Sequence, residues 1–432
     1  MAIDISRRSF INRTACLALA ASTGSLFAAD RGGMEAMLVN TVSSSDESYW
    51  LNIAAQYQVS PDITNLENGF YGIMNNTVLA EYHRNIKFLN LNNSYYMRTA
   101  YEADMLAVRA QIATIAGVLP EEIAITRGAT EALQNLITNY NLIKPGDVVM
   151  YSDLDYDSAQ YAMNYLHERR GANVVTLVIP EPASKQDILD TYAATFTANP
   201  KTKLLLLTHI SHRTGRVMPV AEISAMAKAK GIDVIVDAAH SWGQMDFSIP
   251  DLNVDFAAFN LHKWMSAPLG VGFLYIRKGR LADIDRAYAD EDFAATDIRS
   301  RVHSGTTNTA NVMTVPTALA LHISLGAANK QARLRFLRDY WVSRVREFKG
   351  MNILTSDEPG SYGAITSFRL TGKVSKADNV AITNELREKH NIFTVRRGGV
   401  AGGDCVRVST ALFTKTSDLD RLVAALKTIT KS

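Results

Sequence analysis

From residue 123 onward short apolar runs alternate with stretches of helical spacing, and that alternation constrains the fold more than any other feature of the chain. The runs are Ile123–Thr126, Val148–Tyr151, Val174–Val178, Leu204–Thr208 and Val234–Val236. Between them lie the helical stretches Glu131–Tyr140, Ser158–Arg170 and Val220–Lys230. Lone apolar strands separated by helices cannot pair as hairpins. They predict an α/β fold with a mostly parallel sheet covered on both faces. Upstream, residues 100–117 carry apolar residues at helical spacing and stop at Gly117. After residue 315 the pattern changes. A long helical region (Pro316 to Phe348) leads to strands at Ala364–Leu370 and Val406–Ser409 and a final helix from Ser417. The expected organisation is an N-terminal segment over 31–65, a large domain over 66–315 and a smaller α+β domain over 316–432.

Residues 1–30 stand apart. Ser6-Arg7-Arg8-Ser9-Phe10-Ile11 precedes a mildly apolar stretch from Ala15 to Ala29, the layout of an export signal whose apolar part is too short to span a membrane. The adjacent arginines resemble the twin-arginine signal, which delivers folded cargo to its translocase; an amphipathic first helix with a chance Arg pair is the plainer alternative. Cys16 follows Arg13-Thr14-Ala15, which is no lipobox, so no stable membrane anchor is expected. Lys and Arg total 45 and Asp and Glu 43. Arg7, Arg8, Arg13 and Asp4 all lie in the signal, so the rest of the chain is balanced and nucleic acid is not an expected partner. Two cysteines, Cys16 and Cys405, are too few for a disulfide framework or a CxxC-type zinc site, and no metal is expected.

The chemistry-bearing residues stand at strand ends. Ile123-Ala-Ile-Thr-Arg-Gly-Ala129-Thr130 runs from a strand through glycine into a helix, where backbone N–H groups and a hydroxyl favour a phosphate. Asp237 ends the run Val234–Val236 and reads equally as a helix N-cap. Asp255-Phe-Ala-Ala-Phe-Asn260-Leu-His262-Lys263 is a second strand, running into a lysine that could also be a solvated loop residue. Together, a phosphate-type turn, an acid and a lysine match the needs of pyridoxal phosphate: a phosphate cup, a carboxylate for the pyridinium and an amine for the Schiff base.

With these residues in order, the chain resembles fold-type I pyridoxal phosphate enzymes of the class V aminotransferase family, close to isopenicillin N epimerase-like members. The resemblance rests on Leu66-Glu-Asn-Gly-Phe-Tyr-Gly72, Gly128-Ala-Thr-Glu-Ala132, Asp155-Tyr-Asp-Ser158, Asp237-Ala-Ala-His240, His262-Lys263, Gly305-Thr-Thr307 and Arg407-Val-Ser-Thr410. It implies a large domain with a seven-stranded-type sheet and a smaller C-terminal domain. It also implies that Lys263 holds the cofactor and shuttles protons, that Asp237 pairs with the pyridine nitrogen, and that Tyr156 stacks on the cofactor face, although tyrosine there reads as well as core packing. Ala129, Thr130, Asn260 and His262 would belong to the cofactor cup, with Thr306 or Thr307 completing it from the partner of a homodimer. His240 is expected near the phenolic oxygen, and Arg407 as a bidentate clamp for a substrate carboxylate, or otherwise a surface ion pair.

Departures from the family bear on the reaction. Cysteine desulfurases need a mobile cysteine upstream of the arginine, and Arg396-Arg-Gly-Gly-Val-Ala-Gly-Gly403 contains none. Cys405 would share a face with Arg407 within the strand and reads as a buried structural thiol. His212 stands where desulfurases often carry asparagine, and Arg396 and Arg397 could add positive charge at the mouth or be solvated. The export signal adds a resemblance to the periplasmic member of the family that modifies the glutamyl side chain of the siderophore pyoverdine in fluorescent pseudomonads. That implies a peptide siderophore substrate with a free α-amino carboxylate group. An amino-acid aminotransferase or epimerase is the alternative. A non-catalytic binding protein would be expected to have lost Lys263 or Asp237, and both are present.

Overall fold

Reading the computed structural model from the first strand, β1 (Thr64–Asn65) precedes the strands of the central sheet: β2 (Ile123–Thr126), β3 (Val148–Ser152), β4 (Asn173–Leu177), β5 (Thr202–Thr208), β6 (Asp233–Asp237), β7 (Phe256–Asn260) and β8 (Gly272–Ile276). The structure describes residues 41–303 and 305–431; the expected signal over residues 1–30, with Arg7, Arg8 and Cys16, lies outside the described residues. From Ser43 onward the chain is one compact unit.

Among the described residues the central sheet has seven strands in the order β2-β8-β7-β6-β5-β3-β4. β3 to β7 pair in parallel, and β8 runs antiparallel between β7 and β2. The apolar runs explain why both faces are covered. Leu205, Leu207, Val234 and Val236 face one core layer, whereas Leu204, Leu206 and Ile235 face the other, because successive side chains point to opposite sides. Parallel pairing brings the C-terminal ends of β3, β5, β6 and β7 to one edge, where open α/β sheets bind their ligands.

A second sheet follows, built from β9 (Met351–Ile353), β10 (Ile365–Leu370), β12 (Val395–Arg397) and β13 (Cys405–Ser409), in the order β12-β13-β10-β9; β11 (Ile392–Phe393) pairs in parallel with β1. Its core is a separate cluster around Trp341, Phe368, Val406, Val408 and Leu422.

Two expected boundaries are corrected. Residue 316 does not open a domain: Pro316 lies inside the helix Thr309–Leu325. The chain turns at Gly326, where that helix and the helix Ala327–Val345 meet at 76°. The expected single helical region from Pro316 to Phe348 is therefore two helices. Residue 65 is not the end of a separate segment either, since β1 already pairs with the smaller domain and the Ser409 N–H donates to the Leu66 carbonyl at 2.7 Å. No single helix among the described residues is long and apolar enough to cross a membrane.

Candidate active site

Asp237 is the last residue of β6, and its side chain is buried. No helix begins behind it; a turn follows, in which the Ala239 N–H donates to Asp237 Oδ1 at 2.9 Å. The N-cap alternative is thereby excluded, and the carboxylate stays buried at the strand end. Burial pushes its pKa up, opposed by the Ala239 N–H and by the positive charge of Lys263.

Lys263 reaches the same place from the loop after β7, with Nζ 2.9 Å from His240 Nε2. On the other side of that ring, Trp264 Nε1 donates to His240 Nδ1 at 3.4 Å. With Nδ1 accepting, the proton of the neutral imidazole sits on Nε2 and points at the lysine nitrogen, which then accepts with its lone pair. Burial pushes Lys263 down to about 8, opposed by Asp237 and helped by the charges of Arg407 and Arg397. Burial first, and then the positive charges of Lys263 and Arg407, hold His240 well below the usual imidazole range. The pair is thus matched: a neutral imidazole donating to an amine that gives up its proton easily. An amine of pKa about 8 is roughly one-tenth free base at pH 7, against less than about one part in a thousand at its ordinary value. The rate at which the apoenzyme captures pyridoxal phosphate is therefore expected to climb with pH to a midpoint near 8. Stopped-flow absorbance checks this, and a rise continuing past pH 10 would remove the amine's activation.

The turn after β2 forms the cup. Gly128 precedes the helix Ala129–Thr138, and the Ala129 N–H donates to Asn260 Oδ1 at 2.8 Å. A Cβ on Gly128 would stand 3.0 Å from Asn260 Oδ1 and 3.3 Å from His262 Cε1, so only glycine keeps this floor open. His262 Nδ1 donates to the Val271 carbonyl at 3.1 Å, leaving Nε2 uncommitted, and Thr130 is exposed in the first turn of the helix. Tyr156, just ahead of the helix Asp157–Arg170, is 37% exposed and meets His212 edge-on at 5.3 Å; it is not a core residue. Asp155 beside it is fully buried and ties two strand ends together, accepting from the Ser152 N–H at 2.6 Å and the Thr208 N–H at 2.7 Å. Thr306 and Thr307 are exposed in the loop before the helix Thr309–Leu325. Among the described residues no cluster of His, Cys, Asp and Glu is placed to hold a metal ion.

Around β13 the structure corrects one alternative and adds a residue. Arg407 is completely buried, so the surface-pair reading fails. Its Nη1 donates to the His212 carbonyl at 2.7 Å, and its Nη2 pairs with Glu67 Oε1. Arg397 reaches the same oxygen at 3.4 Å. Arg407 pairs across the sheet with Val395 and Arg397 with Cys405, which puts both guanidiniums on one face. Arg396 points the other way and pairs with Asp404. A Cβ on Gly69 would come within 2.6 Å of Arg407 Nη2, so this stretch of backbone is cut to fit the guanidinium. Sequence reasoning did not single out Glu67. It lies inside a motif read for its pattern, and only the fold carries it across to β13.

The Gly-rich loop is tied down. Arg213 Nη1 donates to the Gly398 carbonyl at 2.7 Å, the Ala401 N–H to Asp153 Oδ2 at 3.0 Å, and Arg369 Nη2 to the Gly403 carbonyl at 2.7 Å. Cys405 is buried, and burial pushes its thiol up to about 11, the state of an inert thiol.

A family model for "Aminotransferase class-V" matches residues 76–422. The chain belongs to that family. It is a pyridoxal phosphate-dependent enzyme with the fold-type I architecture. Among curated relatives, isopenicillin N epimerase from Streptomyces clavuligerus is 26% identical over 401 residues, 88% of this chain and 98% of the relative. A cysteine desulfurase from Pectobacterium carotovorum is 27% identical over 410 residues, 91% of this chain and 95% of the relative. Among solved structures, the cystine C-S lyase C-DES in complex with cysteine persulfide superposes with a TM-score of 0.74 at 22% identity, covering 85% of this chain and 98% of that one. The cysteine desulfurase CsdA from Escherichia coli gives 0.74 at 20% identity over 88% and 98%. At those identities the solved structures speak for the fold alone.

Proposed function

We propose that this chain is an exported, homodimeric enzyme that uses pyridoxal phosphate to act on the α-amino carboxylate end of a peptide siderophore, modifying the glutamyl side chain of a pyoverdine during its maturation. The observation that carries the substrate end is the buried Arg407 on β13, which shares Glu67 with Arg397 and lies close enough, with it, to lower the pKa of Lys263.

The residues present fit the cofactor. The floor at Gly128, closed by any Cβ, the N–H groups opening a ten-residue helix and the uncommitted His262 Nε2 suit a phosphate. Asp237 suits a ring nitrogen, Tyr156 a ring face, and Lys263 the covalent attachment. When bound, pyridoxal phosphate supplies an electron sink for charge developing at the substrate α-carbon. The chain does the rest. Asp237 holds the proton on the ring nitrogen. Arg407 and Arg397 orient the substrate by its carboxylate. The Lys263 amine, which burial makes readier to give up its proton, takes and returns the α-proton, with His240 Nε2 as its hydrogen-bonding neighbour.

Export through the twin-arginine route rests on Arg7 and Arg8, and the homodimer on exposed apolar side chains such as Phe70 (70% exposed) and Tyr288 (89% exposed) together with the exposed Thr306 and Thr307. Against a desulfurase stand the tied Gly-rich loop and the inert Cys405. The epimerase relatives favour a second reading, in which the same Lys263 returns the α-proton of a small amino acid to the opposite face.

The test is the mass of the secreted siderophore in a strain whose sole copy carries Arg7→Lys and Arg8→Lys. The enzyme is expected to stay in the cytoplasm, folded, while the siderophore accumulates in an unprocessed form, because the pair is read as an address by the translocase. An unchanged siderophore in that strain and in a deletion strain would remove the substrate and leave the enzyme class standing.

A further inference from the structure

The acid between the two arginines is not needed to hold the cofactor, yet it is built into the substrate end. The Glu67 side chain is 7% exposed. Its backbone is fixed by the Glu67 N–H donating to Asn65 Oδ1 at 3.0 Å and by pairing with Ser409 on β13. Oε1 is shared by Arg407 and Arg397, whereas Oε2 is buried and has no hydrogen-bond partner among the described residues. Nε of Arg407 and Nε of Arg397 are likewise buried without partners among the described residues. Two cations and one anion therefore share a pocket whose polar groups are only partly satisfied, beside the amine of Lys263. A buried network left incomplete in this way is costly unless a ligand completes it.

Charge decides which ligand that is. Two guanidiniums and one carboxylate leave one positive charge, which one incoming carboxylate neutralises. A second carboxylate would meet Glu67 across a poorly screened interior, where like charges repel strongly. We infer that Glu67 is a specificity-determining residue: it makes the Arg397–Arg407 clamp selective for substrates with a single carboxylate and turns away free dicarboxylic amino acids. The inference rests on the assignment of Arg407 as the substrate clamp. It deepens that reading, since a glutamyl group whose side-chain carboxyl is tied up in an amide presents one carboxylate, and free glutamate presents two.

The experiment measures binding of two unreactive acids, butyrate and glutarate, to the holoenzyme by calorimetry at pH 7. Wild type is expected to bind butyrate at least as tightly as glutarate, and Glu67→Gln to shift that ratio toward glutarate by roughly 10-fold or more. Glu67→Asp keeps the charge and is expected to keep the wild-type ratio, so a shift in Glu67→Gln but not in Glu67→Asp ties the discrimination to the charge of Glu67. Wild type preferring glutarate over butyrate overturns the inference without any variant, so it stays testable should Glu67→Gln fail to fold. An unchanged ratio in a folded Glu67→Gln that binds both acids overturns it as well, with the clamp intact. If Arg407→Lys leaves the binding of both acids untouched, the clamp itself falls and the inference falls with it.

Discussion

Lys263→Ala is expected to leave a folded protein that binds pyridoxal phosphate without attaching it. After borohydride reduction and dialysis the wild type should keep a covalent chromophore and the variant none, and turnover should drop by at least roughly 10³-fold, since one side chain is proposed to supply both the attachment and the proton transfer. The cup is built from other residues, Gly128, Ala129, Asn260 and His262, so the cofactor should still bind reversibly. Far-ultraviolet circular dichroism should be unchanged because Lys263 lies in a loop after β7 and not within an element. A second buried lysine makes the experiment discriminating. Lys330 lies on the helix Ala327–Val345, is pushed down to about 7 by burial, and donates to the Trp264 carbonyl at 3.2 Å. If the Lys263→Ala protein still carried a reducible covalent chromophore, the attachment would lie elsewhere, with Lys330 the first residue to replace.

The sequence made the central sheet legible because burial on both faces leaves long apolar runs. The expected run Leu204–Thr208 falls within β5 (Thr202–Thr208), and Val234–Val236 within β6. It hid β8 (Gly272–Ile276), whose apolar run is no different but whose antiparallel insertion between β7 and β2 depends on long-range pairing. The helix break at Gly326 was masked by Pro316, the stronger punctuation mark, which the helix Thr309–Leu325 accommodates in its interior. In the site, Asp237 and Lys263 were legible from their places at strand ends. Two kinds of information were not. One is burial, which turned Arg407 from a possible surface pair into a buried arginine. The other is proximity across the chain: Glu67 meets Arg407 only because β1 joins the smaller domain, and Trp264 meets His240 only because the loop after β7 folds back over the end of β6.

Asp237→Asn should separate the cofactor's attachment from its reactivity. The substitution preserves shape and an acceptor for the Ala239 N–H, so the fold and the covalent link at Lys263 should survive. What it removes is the negative charge proposed to keep a proton on the ring nitrogen, and with it the ring's capacity to accept charge as the α-proton leaves. Because that interaction strengthens in the transition state, its loss appears in turnover more than in substrate affinity. A drop of roughly 10³-fold, about 4 kcal/mol of barrier, is expected. A second readout ties the effect to this carboxylate. Asp237 raises the Lys263 pKa against the burial that lowers it, so removing the charge lets burial act unopposed. The pH midpoint for cofactor capture by the apoenzyme should therefore move below the wild-type value near 8, because a lysine that loses its counter-charge gives up its proton at lower pH. Stopped-flow capture across pH, run beside turnover at saturating substrate, checks both. Turnover of wild-type size, or a capture midpoint that stays put, would mean that Asp237 serves the fold and that another group protonates the ring.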